Sequence, residues 1–250
     1  MTIPDADARR ALSRVLLDEV GHEFRTPLSS ILGHQELLDQ GILGELDDKV
    51  ASAVGRIGVA ALQLTHLVNG AVDLAAIALG DPPSLDIEPV SLEHVGATAA
   101  DYAAAVGGED GGLRTRPGGT STLVTTDVRR LERTLILGTT AVIREAPEAS
   151  VVFDLPHASE DEEGAFVATW SGPGGEWLWV PEGVPGDPDR TLAAALRAVP
   201  RPGDERPPGS WLRIAVAAVT AALIGGALRF VAGDAESRLE LRFPGDFQQV

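Results

Sequence analysis

Cysteine is absent from the 250-residue sequence, which excludes disulfides, thiolate metal sites and cysteine nucleophiles. Positive charge is scarce: 20 lysines and arginines face 37 aspartates and glutamates, a net charge of −17 with histidine neutral. A surface of that sign repels phosphate backbones and anionic lipid, so nucleic acid and membrane are not expected as partners. No apolar run reaches the roughly 20 residues needed to span a bilayer. The longest uncharged apolar stretch, Ile214 to Leu228, has 15 residues and reads as a buried helix. The N-terminus, MTIPDADARRALSRV, lacks the basic-then-apolar pattern of an export signal. A cytoplasmic protein is expected, with no input module or anchor ahead of its first helix.

What is present begins with two long amphipathic segments. From about Asp5 to Gly41, Leu12, Leu16, Val20, Phe24, Leu28, Ile31, Leu32 and Leu38 recur mostly at three- and four-residue spacing. Gly41 and Gly44 mark a turn, and a second stripe runs from about Leu46 to Leu79 through Val50, Val54, Ile57, Ala61, Leu64, Leu67, Val68, Val72 and Leu74. Two such helices form an antiparallel hairpin. One hairpin cannot bury both stripes, so a second copy completing a four-helix bundle is expected.

Within the first helix stands Gly21-His22-Glu23-Phe24-Arg25-Thr26-Pro27-Leu28. Val20 and Phe24 share one side, and His22 points about 200° away from both. Thr26, four residues on, stands above His22 on the same outward face. These are the parts for reversible phosphoryl chemistry: an imidazole nucleophile, Glu23 to take or orient the proton on the other ring nitrogen, and Thr26 to position a water or phosphoryl oxygens. Pro27 deletes one backbone hydrogen bond and is expected to bend the helix just beyond His22. A histidine with one neighbouring glutamate would carry little weight; Thr26, Pro27 and Leu28 in register add to it.

Gly80-Asp81-Pro82-Pro83-Ser84 suits neither helix nor central strand and is taken as the boundary between domains 1–80 and 85–250. Beyond it the pattern gives strands at Leu85–Val90, Leu113–Arg116, Ser121–Thr125, Ser150–Leu155, Ala165–Ser171, Leu228–Val231 and Arg238–Phe243. Helices are expected from the Ser91 cap to about Val106, and from the Asp127 cap over Val128–Glu145. The order implies an α+β sandwich with helices on one face of a sheet. Gly172 to Gly209 is rich in Pro, Gly and Asp, with about two helical turns at Thr191–Val199.

HEFRTPL followed by SSILGHQELL closely resembles the phosphoacceptor box of bacterial sensor histidine kinases. The resemblance implies a dimerisation and phosphoacceptor (HisKA/DHp) hairpin over 1–80, with His22, Glu23 and Thr26 as its catalytic residues. It also implies that 85–250 is a GHKL/HATPase-like α/β sandwich, and that 172–209 is either its nucleotide lid or an ordinary surface loop. That second domain departs from the family's nucleotide site. Aligning Arg130-Leu131 and Pro147 puts Leu137 and Ala141 where asparagines reach Mg²⁺ and phosphates. Trp170-Ser171-Gly172-Pro173-Gly174 puts Trp170 where an aspartate takes the adenine amino group, and Gly209-Ser210-Trp211-Leu212-Arg213 puts Trp and Arg where glycines open a phosphate-cradling helix. Trp170, Trp177, Trp179 and Trp211 either pack the emptied cavity or form a partner surface, and Arg213 could still hold another anion. The domain therefore reads as a degenerate ATPase fold.

Architecture and losses together resemble ChpT-type histidine phosphotransferases. The implied activity is relay of phosphoryl groups through His22 to or from response-regulator aspartates, without ATP. No cofactor is bound by the chain, and Mg²⁺ is expected from the partner receiver domain. Partners are a second copy, receiver domains and a hybrid histidine kinase. Two other readings stay open, a pseudokinase scaffold, regulator or phosphatase that binds a receiver domain or a kinase, and an active histidine kinase. His34, His66, His94 and His157 show no metal-ligand spacing, and Glu160 to Glu163 is a solvated acidic run.

Overall fold

The computed structural model describes residues 6–107, 113–116, 123–145, 151–158, 166–175, 180–181, 183–197 and 208–243. It divides into two compact units, Met1–Pro83 and Ser84–Val250.

The first unit is a hairpin of α1 (Ala6–Asp39) and α2 (Asp48–Ala78). α1 ends in a left-handed glycine, Gly41, with φ 69°, which lets the Gly41 and Ile42 amides donate to the Leu38 and Leu37 carbonyls. α2 starts on Asp47, whose carboxylate accepts from the Lys49 and Val50 amides, each at 3.0 Å. Four contacts fix the pairing: Arg14 with Asp81 at 2.9 Å, Gly21 against Val72, Arg25 with Asn69 at 2.7 Å, and Gly58 against Gln35. Steps forward along α1 match steps backward along α2 and the residues just after it to within two residues, so the antiparallel register holds on both sides of Pro27. The helix is uninterrupted there. Pro27 is exposed, and the carbonyl its ring leaves without an amide, that of Glu23, belongs to an equally exposed residue.

The face that α1 turns to α2 is centred on Gly21 and Leu28. Val20 and Phe24, grouped by period alone as one apolar side, each remain 48 % exposed. On α2, Val50, Ile57 and Leu64 repeat every seventh residue and are also exposed. α2 is long and apolar enough, by length and composition, to cross a membrane, although Arg56, Gln63, His66 and Asn69 break its apolar runs.

The second unit contains β1 (Glu88–Ser91), α3 (Leu92–Gly107), β2 (Leu113–Arg116), β3 (Leu123–Thr126), α4 (Val128–Glu145), β4 (Val151–Ala158), β5 (Phe166–Pro173), α5 (Pro188–Arg197), α6 (Pro208–Leu223), β6 (Ala227–Val231) and β7 (Glu236–Phe243). Five strands form a sheet of order β2-β4-β5-β7-β6, parallel only between β2 and β4, while β1 and β3 make a separate antiparallel pair. α4 packs between α3 and α6, and α3 and α6 reach β4 and β6. Leu131, Leu135, Leu137 and Ala141 of α4, Ile214 to Val219 of α6, and Ala168, Trp170, Leu239, Leu241 and Phe243 of the sheet are buried together as the core. This is the expected α/β arrangement of helices over a sheet.

Candidate functional site

His22 lies on α1 and its side chain is exposed, as are those of Glu23, Arg25 and Thr26. The residue before it, Gly21, is buried because α2 passes close: a Cβ there would sit 3.1 Å from a Val72 methyl carbon. Burying Gly21 turns the next position, 100° round the helix, away from α2. The Thr26 hydroxyl donates to the His22 backbone carbonyl at 3.2 Å, so it is turned to the main chain and keeps only its acceptor side for solvent. Glu23 and His22 are sequence neighbours on an exposed helix surface, and no hydrogen bond joins their side chains. The structure therefore places the three residues on one open turn, with none of them pre-bonded to the imidazole.

Arg25 was not among the residues singled out by sequence. Its Nε–H donates to Asn69 Oδ1 across the hairpin, and its two terminal nitrogens lie 3.4 Å from the position of a Gly21 Cβ. The available signal was Asn69 itself, an amide set between Val68 and Val72 on an otherwise apolar stripe.

In the second unit, Leu137, Ala141 and Trp170 are all 0 % exposed. The Trp170 indole N–H donates to Thr139 Oγ1 at 2.9 Å, and its ring edge lies against Gly138, where a Cβ would come within 3.2 Å. Gly174, the last residue of the glycine-containing stretch after Trp170, is required by packing: a Cβ there would stand 2.0 Å from the Asp234 carbonyl oxygen. Helix α6 begins at Pro208, so Gly209 lies inside its first turn. Trp211 is half-buried and its N–H donates to the Ala195 carbonyl at 3.2 Å, tying α6 to the last turn of α5. α5 is capped by Asp187, which accepts from the Arg190 amide at 2.9 Å, and it begins three residues earlier than expected because Pro188, Asp189 and Arg190 form its first turn. Arg213 is half-buried; burial first, then the charge of Arg144, lowers its pKa, and Tyr102 opposes the shift. Trp177, Trp179 and the Glu160 to Glu163 run lie outside the described residues, as does the side chain of His157.

Among the described residues no group of three or more His, Asp or Glu side chains is arranged to hold a metal ion. His34 Nδ1 bonds to the Ser30 carbonyl of its own helix at 2.7 Å.

Residues 13–80 match the His Kinase A (phospho-acceptor) domain. Over that segment the chain is similar to histidine kinases. It is 31 % identical to the sensor protein DivL of Caulobacter vibrioides over 98 residues, which is 39 % of this chain and 12 % of DivL. The structure of full-length ShkA, determined with AMPPNP, superposes with a TM-score of 0.54 at 20 % identity, covering 94 % of this chain and 46 % of ShkA. The histidine kinase AdeS of Acinetobacter baumannii gives a TM-score of 0.48 at 18 % identity, over 90 % of this chain and 98 % of that one. The chain thus spans an eighth of DivL and under half of ShkA, and what it shares with ShkA is the fold: a helical hairpin followed by an α/β unit.

Proposed function

We propose that this histidine-kinase-like chain is a phosphotransferase of a two-component phosphorelay, carrying phosphoryl groups on His22 without binding ATP. An imidazole nitrogen of His22 attacks the phosphorus of a receiver's aspartyl phosphate. The N–P bond forms, the P–O bond to the aspartate breaks, and the carboxylate leaves with the electron pair. Glu23 takes or orients the proton on the other ring nitrogen, and the reverse sequence passes the group to a second receiver. Positioning dominates such chemistry, and Mg²⁺ enters with the receiver, so the chain needs no cofactor of its own. Its partners in this reading are a second copy, receiver domains and a hybrid histidine kinase, in the cytoplasm.

The observation that carries the reading is a contrast between the units. His22 is exposed within the matched phosphoacceptor segment, while Trp170, which the resemblance aligns with the family's adenine-binding aspartate, is buried in the core. Leu137 and Ala141 add no metal or phosphate ligand, and Trp211 uses its N–H on Ala195. These features speak against the active-kinase alternative. Incubation with phosphorylated receiver domains should put acid-labile phosphate on the wild-type protein and none on His22→Ala. Tight receiver binding with no such label on the wild-type protein would overturn the proposal in favour of a scaffold.

A further inference from the structure

The geometry points to Arg25 as the group that meets the phosphoryl oxygens at His22, with Asn69 of α2 as the residue that positions it; this rests on the phosphotransferase reading. Arg25 stands one turn beyond His22, and its long side chain folds back toward the helix N-terminus, as such side chains do. Its terminal nitrogens lie over Gly21, the residue before His22. A side chain at position 21 would occupy that space, so the glycine admits both Val72 and the guanidinium.

One edge of the guanidinium is held: Nε–H donates to Asn69 Oδ1 at 2.7 Å. Among the described residues no carboxylate pairs with it, although Glu23 is two positions away. The planar fork therefore keeps its terminal N–H groups available, in an orientation fixed from the partner helix. Charge gives the fork a purpose. A phosphoryl group brings close to two negative charges beside Glu23, on a chain whose net charge is −17. Arg14 is eight residues before His22, about 12 Å along the axis, and is ion-paired with Asp81; Arg56 is bonded to Ser52. Arg25 is the cation within a turn of His22. When the N–P bond forms and the aspartate leaves, two parallel N–H donors can hold the non-bridging oxygens, as guanidinium does for phosphate generally.

The test follows single-turnover transfer from a phosphorylated receiver at varied receiver concentration, using full-length wild type, Arg25→Gln, Arg25→Lys, Asn69→Ala and the Arg25→Gln/Asn69→Ala double variant, with circular dichroism as the check of folding. Arg25→Gln should lower the saturating rate by about tenfold or more, as loss of a transition-state donor does, with little change in half-saturating concentration. Arg25→Lys should recover part of the rate. Asn69→Ala should slow transfer less, and have no further effect in the Arg25→Gln background, because it acts through that side chain. If wild type is labelled and Arg25→Gln matches its saturating rate, or loses only receiver affinity, this inference falls and the phosphotransferase reading stands. If Arg25→Gln does not fold, an Asn69→Ala rate equal to wild type overturns the inference in the same way. If wild type takes up no label, both fall.

Discussion

Trp170 donates its indole N–H to the Thr139 hydroxyl at 2.9 Å in a fully buried site, with Gly138 making room for the ring. A large side chain joins β5 to α4 at the centre of the second unit, so its removal should leave a cavity that neighbours cannot fill. Trp170→Ala should destabilise that unit by about 3–5 kcal/mol. Thr139→Val, which takes away the hydroxyl that accepts from the indole, should cost about 1–3 kcal/mol. Denaturant titration with the same slope as wild type checks both, and a Trp170→Ala cost under about 1 kcal/mol would contradict this packing role.

The same packing bears on nucleotide. With Trp170 in the core and Leu137 and Ala141 offering no ligand atoms, Mg-ATP should give no heat on calorimetric titration. A dissociation constant below about 1 mM, near −4 kcal/mol, would sink the ATP-independent reading.

Asp127 caps α4 from a site only 2 % exposed. Burial pushes its carboxyl up, but the amides of Asp86 and Arg130 and the Arg130 guanidinium together outweigh burial and hold it below its ordinary value. Folding therefore favours the ionised form. The stability gained is complete above the ordinary carboxylate pKa of about 3.9 and is lost as pH falls through the lowered folded value. Glu132, raised chiefly by burial, works in the opposite sense: its contribution is present below its ordinary pKa and is lost as pH rises through the raised value. Asn caps a helix as well as Asp, so Asp127→Asn should lower stability at pH 7 by about 1 kcal/mol through the weaker bonds of a neutral acceptor and flatten the acid limb of the stability profile. An unchanged acid limb would show that the cap's charge does not matter.

The cap also explains what could be read from sequence and what could not. α4 runs over Val128–Glu145 as expected, because a local signal, Asp127 before an apolar period, decides its start. β1 begins at Glu88 and not at Leu85, because the Asp86 amide goes to the Asp127 carboxylate and not to a neighbouring strand. β4 continues past Leu155 to Ala158 through a register shift between Asp154 and His157, which accommodates Pro156; a bulge of this kind depends on the partner strand. At the site, His22 is exposed as expected but not for the reason that period gave: Val20 and Phe24 are exposed too, and the residue that faces α2 is Gly21, which has no side chain to reveal it in an apolar pattern. The turn of the Thr26 hydroxyl to the backbone and the reach of Arg25 to Asn69 did not follow from period either, since each is set by a partner invisible to periodicity.

Exposed apolar residues at seven-residue spacing make the hairpin incomplete alone. Ile57 is 55 % and Leu64 43 % exposed on α2, and Phe24 and Ile31 are exposed on α1. A second hairpin would bury them in a four-helix bundle. Light scattering should give twice the 26.1 kDa chain mass, and Ile57→Asp should shift the protein toward monomer. A wild-type monomer at micromolar concentration would refute the bundle.

In the proposed phosphotransferase, His22, Glu23 and Thr26 should separate by role. His22→Ala removes the nucleophile and should abolish phosphate uptake. Glu23→Gln keeps a side chain of the same shape but removes the charge that takes or orients the imidazole proton; transfer should slow by roughly 10- to 100-fold, at the lower end of general acid–base contributions because the site is open to water. Thr26 differs from both. Its hydroxyl already donates to the His22 carbonyl at 3.2 Å, so it has only an acceptor side to offer, which suits holding a water and not donating to a phosphoryl oxygen. Thr26→Ala should therefore leave His22 labelling within about twofold while slowing receiver dephosphorylation by roughly tenfold, less than the ~100-fold or more of a full acid–base group because Thr26 orients the water and takes no proton. Thr26→Ser, which keeps the hydroxyl, should restore it. Following label on this protein and on the receiver in one time course separates the two rates; equal slowing of both would mean that Thr26 shapes the nucleophile's turn of helix and not the water.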